Sequence, residues 1–91
     1  METREIVEFA EREGYNPDRR DSGRWFVQVT TKAGHTLTGF GLHVLRNVAH
    51  PDGDTLVLLG DEGRRTLKAD DLRDAGWFHV DEFTQVARRV A

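Results

Sequence analysis

Between Trp25 and Val80 the chain breaks into short β-rich runs separated by turn-forming residues, and this rhythm limits the possible folds more than any other feature. The runs cover 25–31, 35–40 and 55–59, and the turns cover 32–34, 51–54 and 61–63. A fourth run follows at 64–69, and Gly76-Trp77-Phe78-His79-Val80 closes the set. Strand-forming segments bounded by Gly, Asp and Pro form antiparallel hairpins. The pattern therefore predicts a small antiparallel sheet or barrel across 24–80, with strands at 24–31, 35–45, 55–59, 64–69 and 77–80.

Alternation within the runs assigns faces. Trp25, Val27 and Val29 share one face of the first strand, and Phe26, Gln28 and Thr30 share the other. The second run changes phase: Leu37 matches one face, while Phe40, Leu42 and Val44 match the other. Gly39 and Gly41 sit at the change, which predicts a bend or bulge there. The run 55–59 is apolar on both faces and reads as a strand that is central, covered by a helix, or part of an interface.

Helical spacing brackets this region. Ile6, Phe9 and Ala10, widened by Val7, predict a helix over 3–13, with Thr3 as cap, Glu5 at the positive end and Gly14 as a left-handed stop. Asp81 can cap a second helix over 82–90, where Phe83, Val86, Ala87 and Val90 fall at i, i+3, i+4 and i+7. The segment 70–75 resembles one helical turn. The expected architecture is α+β, one domain over 1–91.

Composition narrows the function. The 91 residues include no cysteine, so no disulfide, thiol nucleophile or thiolate ligand is available. The start of the chain has no apolar signal core and no run approaches membrane-spanning length, which predicts a cytoplasmic protein. The net charge of −3 runs against a general nucleic-acid binder, whose affinity comes mainly from phosphate contacts. The charge is uneven: residues 1–14 hold five Glu against two Arg. Glu5, Glu8 and Glu11 share the outer face of the first helix and are the candidate contacts for a protein partner. Arg19, Arg20, Arg24, Arg64 and Arg65 are the candidate contacts for nucleic acid, the alternative partner.

Chemistry-bearing residues are sparse. His35, His43, His50 and His79 titrate near neutrality, but none forms a close pair in sequence and no His-Glu helix motif occurs. Ser22 is the only serine and lies in a polar loop, not a strand-turn-helix elbow. Asp70, Asp71 and Asp74 have spacing suited to capping. Gly39-Phe40-Gly41 lacks the lysine and helix start of a phosphate loop. The segment 52–54 lacks the ligand spacing of a calcium loop. The sequence thus predicts a non-enzyme with no cofactor and no metal. A small toxin or hydrolase using a histidine is a second alternative.

The segments Val27-Gln-Val-Thr-Thr-Lys-Ala-Gly34, Leu37-Thr-Gly39, Leu56-Val-Leu58 and Arg65-Thr-Leu67 resemble the Sm-like small barrels over roughly residues 25–72. That resemblance implies an SH3/Sm-like barrel of five bent antiparallel strands behind an N-terminal helix. The Asp and Asn pattern around the Sm RNA-binding loop is absent from 41–47, as is the Arg-Gly of the last RNA-contacting turn. Within the group, 32–37 and 62–72 look most similar to the Rof-type inhibitors of the Rho termination factor. This implies a small acidic regulator acting on a protein partner. A second similarity, to the start of HicA-type toxins, stops at Arg24, where that family places its catalytic histidine. The sequence therefore points to a non-enzymatic binding module, monomeric or homodimeric, for a protein partner. Its alternative is a nucleic-acid-binding Sm-like protein.

Overall fold

Ile6, Val7, Phe9 and Ala10 line one side of an 11-residue helix, α1 (Thr3–Glu13), and all four are buried. The computed structural model describes residues 1–20, 23–46 and 53–91, with Arg20 described through its backbone alone. Glu2, not Thr3, caps α1, and the Glu5 carboxylate accepts the Glu2 N–H at 3.1 Å in a capping box. Gly14 is right-handed, with φ −65°, and is not the left-handed stop expected. Its role is close approach: its carbonyl accepts the Leu42 N–H at 2.7 Å, and a Cβ there would collide with the Leu42 and Ala10 carbonyl oxygens. A short helix, α2 (Pro17–Arg20), follows.

The strands are β1 (Trp25–Thr31), β2 (Thr36–Gly39), β3 (Gly41–Leu45), β4 (Thr55–Gly60), β5 (Gly63–Lys68), β6 (Leu72–Val80) and β7 (Ala87–Arg89). They form two antiparallel sheets, ordered β2-β1-β6-β7 and β3-β4-β5. Their ladder order closes no barrel among the described residues. The phase change expected at Gly39 and Gly41 is the point where the chain passes from one sheet to the other, through a bend at Phe40. The Phe40 N–H bonds the Leu59 carbonyl at 2.8 Å, which ties the bend to β4.

Between the sheets and α1 lies one core. Val27, Val29, Leu42, Leu56, Leu58, Leu72 and Trp77 meet Ile6 and Phe9 there. The Trp77 indole N–H donates to the Glu13 carbonyl, fixing the end of α1 to β6. Strand β4 is apolar on both faces because both are covered: Leu56 and Leu58 point into the core, and Val57 is also buried.

Three segments differ from expectation. The helical turn expected over 70–75 is confined to Ala69–Asp71, and β6 begins at Leu72 instead of 77. The reason is pairing: β1 offers a partner along its whole length, from Trp25↔His79 to Thr31↔Leu72. The largest correction is at 82–90, which forms no helix. Asp81 does cap a turn there, its Oδ1 accepting Phe83 N–H at 2.8 Å and Thr84 N–H at 2.9 Å. Gln85 then turns left-handed at φ 59°, and β7 pairs with the edge of β6 in the register Phe78↔Arg89, His79↔Arg88, Val80↔Ala87. A helix this short is marginal in water. The open edge of β6 supplies ladder bonds, and Arg89 forms a bidentate pair with Asp74 at 2.7 and 3.1 Å. The seat for that arginine is Gly76, where a Cβ would come within 2.9 Å of Arg89 Nε and 2.7 Å of the Ala91 carbonyl oxygen.

Candidate interaction surface

The acidic face of α1 is largely engaged within the molecule. Glu5 closes the capping box, Glu8 pairs with Arg4 at 3.1 Å, and Glu11 pairs with Arg46. Arg46 also holds Asp54 at 3.0 Å, so one guanidinium joins the helix to the segment entering β4. The Asp54 side chain is 7% exposed, which explains why this link is built there. The three glutamates do share one helix face, as their spacing requires.

The arginines lie in separate places. Arg19 on α2 stands over the Trp25 ring at 4.6 Å and the Trp77 ring at 5.3 Å, in cation–π contact with both. Arg20 closes α2, and its side chain lies outside the described residues. Arg24 pairs with Glu82 at 2.9 Å, across the base of the C-terminal hairpin. Arg64 and Arg65 are exposed on β5, and as consecutive strand residues they project to opposite faces. Along the strand Arg65 shares its side with Leu67, but both arginines, together with Leu37, Leu58, Asp61 and Glu62, line a groove of about 300 Å³. Arg64 falls on the other side with Thr66 and Lys68. Arg64, Arg65 and Lys68 form no ion pair among the described residues. Lys68 belongs to this group, and the alternation of 64–69 placed it on the same strand without marking it as a candidate.

Strand β5 is an edge. Its inner side pairs with β4 from Thr55↔Lys68 to Gly60↔Gly63, and among the described residues no other strand pairs with it. Every second residue of such a strand turns its N–H and C=O away from the sheet. That row is a ready template for an added strand.

The aromatic pairs split as the strand period requires. Trp77 is fully buried, and Trp25 packs at the margin of the core. Phe26 and Phe78 face each other on the outer side of their sheet, stacked with centroids 5.3 Å apart. Among the histidines, His43 stacks on Tyr15 at 5.5 Å and His79 lies 4.6 Å from Trp25. His35 is exposed beyond β1, and His50 and Ser22 lie outside the described residues. Among the described residues, no group of three or more His, Asp or Glu side chains is placed to hold a metal ion. No helix among them is long and apolar enough to cross a membrane.

Two carboxylates have shifted titration. Asp74 is held below its ordinary 3.8, first by the Arg89 hydrogen bond, with the charge of Arg89 and the Ala75 N–H adding to it. Asp81 is also lowered, by the Thr84 and Phe83 N–H groups it caps. Asp74 lies within β6, where it holds Arg89 of β7, and Asp81 caps the turn that leads into β7. No protein family, curated protein or solved structure matches the chain.

Proposed function

We propose that this protein is a non-enzymatic binding module that engages a protein partner through the open edge of β5. It takes an extended segment carrying acidic side chains and acts as a cytoplasmic regulator. The observation that carries this reading is the six-residue edge of β5, with Arg64, Arg65 and Lys68 free of ion pairs among the described residues. Main-chain bonds to an added strand would supply affinity, and the three cations would supply specificity and speed of encounter. The same charges oppose self-pairing of β5, because an antiparallel copy centred on Thr66 would set Arg64 against the partner's Lys68. The glutamates of α1 are a weaker docking face, since Glu8 and Glu11 already hold internal cations. The handover of one strand between sheets at Phe40 supports placing this architecture near the half-open small barrels of SH3/Sm type.

The nucleic-acid reading rests on a different observation. Phe26, Trp25 and Phe40 line a groove of about 380 Å³ on which a base could stack. The scatter of the arginines over separate faces favours the protein partner. One experiment separates the two. A protein captured with the wild-type chain should slow amide exchange across 63–68, and its binding should fall at least tenfold on R64A/R65A substitution. Titration with single- and double-stranded RNA and DNA near physiological salt is the counter-arm. Submicromolar binding there that disappears in R64A/R65A overturns the protein-partner reading.

A further inference from the structure

The C-terminal hairpin carries three apolar side chains that the fold leaves outside. Phe83 is 90% exposed, Val86 62% and Val90 52%. Scattered exposed hydrophobics need no explanation, but a contiguous apolar patch with a polar rim marks an interaction face. These three are close in the chain, and two of them line a cavity of about 380 Å³ together with Trp25, His79, Thr84, Asp81 and Arg88. The register explains the cavity. Arg88 lies opposite His79, and His79 opposite Trp25, so the inner face of the sheet runs on past the point where the core ends.

We propose that this hairpin is a self-association face, on which Phe83 of one protomer enters the Trp25/Val86/Val90 cavity of its partner, and the reverse. Knob and hole adjoin, since Asp81, Thr84 and Val86 of the turn that carries Phe83 also line the cavity, so a two-fold axis through this face can set each against its counterpart, as an isologous interface requires. The cavity is large enough, since one of about 150 Å³ already holds benzene. The rim carries both signs: Asp81 and Arg88 line the cavity, and the Arg24–Glu82 pair adjoins Phe83 in the chain. Such a face is complementary to its own rotated copy and not to a strongly acidic or basic partner. The knob is also presented on an ordered turn. Asp81 Oδ1 accepts two N–H groups, the Gln85 N–H bonds the Asp81 carbonyl at 2.9 Å, and the Asp81 N–H bonds the Val86 carbonyl at 3.0 Å. That order lowers the entropic cost of docking.

Equilibrium sedimentation of the full chain tests this. The weight-average mass should rise from 10.4 kDa toward twice that value as concentration goes from about 10 μM to about 1 mM. F83D should raise the dimer dissociation constant at least tenfold, about 1.4 kcal/mol, without changing the monomer's circular dichroism melt. V86D, which alters the hole and not the knob, should weaken association to a similar degree. A mass of 10.4 kDa at every concentration, or a dimer indifferent to both substitutions, overturns the proposal.

Discussion

Asp74 and Arg89 show how much rests on single side chains at the end of this molecule. Arg89 reaches across Gly76 to the Asp74 carboxylate and also donates to the Ala75 carbonyl at 2.8 Å, so one guanidinium holds β7 to β6. Folding lowers the Asp74 pKa, so its contribution to stability is complete above the unfolded value near 3.8 and is lost as pH falls through the folded value. The side chains remain 38% and 41% exposed, and solvent screening limits the pair to about 0.5–1 kcal/mol. D74N should lower stability by that amount near neutral pH, and the difference should narrow in acid, below pH 3.8, as Asp74 protonates. Urea unfolding of both proteins at neutral pH and in acid checks this; a gap that does not narrow in acid would show that the charge is not responsible. The sequence marked Asp74 as a capping residue, because only the fold brings a residue 15 positions away into reach.

The hairpin 81–89 is the element where local pattern and tertiary structure part. Phe83, Val86, Ala87 and Val90 have helical spacing, yet the same residues accommodate a turn and a short strand, and exposure of Phe83 shows that no apolar stripe is buried. A period of 3.6 over nine residues is weak against an unpaired strand edge that needs a neighbour. Within the turn, Gln85 adopts φ 59°, a conformation that costs a non-glycine residue about 1 kcal/mol. Q85G should therefore stabilise the protein by about 0.5 kcal/mol, even after losing the exposed Gln85 Nε2–Glu82 carbonyl bond. A thermal melt reads this as a rise of a few degrees; a fall would mean that the side-chain bond outweighs the backbone strain.

At the scale of the whole molecule, two sheets and one helix share a core, and a few polar links set how they meet. Arg46 is the clearest, joining Glu11 on α1 to Asp54 at the start of β4. R46A leaves the nearly buried Asp54 carboxylate without that cation and should cost about 1–2 kcal/mol, lowering Tm by roughly 5 °C or more. Calorimetry checks it, and R46K should recover part of the loss because one ammonium cannot serve both carboxylates with the same geometry. An R46A melt equal to wild type would show that the packing of α1 alone sets its position. The loss should be larger than that in D74N, because Asp54 is far less exposed than Asp74.

The strand faces at 25–31, a bend around Gly39 and Gly41, a strand at 55–59 apolar on both faces and the amphipathic α1 were all legible in the sequence. Each depends on contacts between near neighbours or on a two-residue or 3.6-residue period. Other features were decided only in three dimensions. Gly14 serves close approach to Leu42, β6 extends back to Leu72 because β1 continues to pair, and 87–89 becomes a strand because β6 has a free edge. The same limit applied to the candidate residues. The sequence placed Glu8 and Glu11 on one face and Arg64 and Arg65 on one strand. Glu8 pairs with Arg4 one helical turn away, but only the fold brings Arg46 to Glu11, and only the fold leaves Arg64, Arg65 and Lys68 without an ion pair among the described residues.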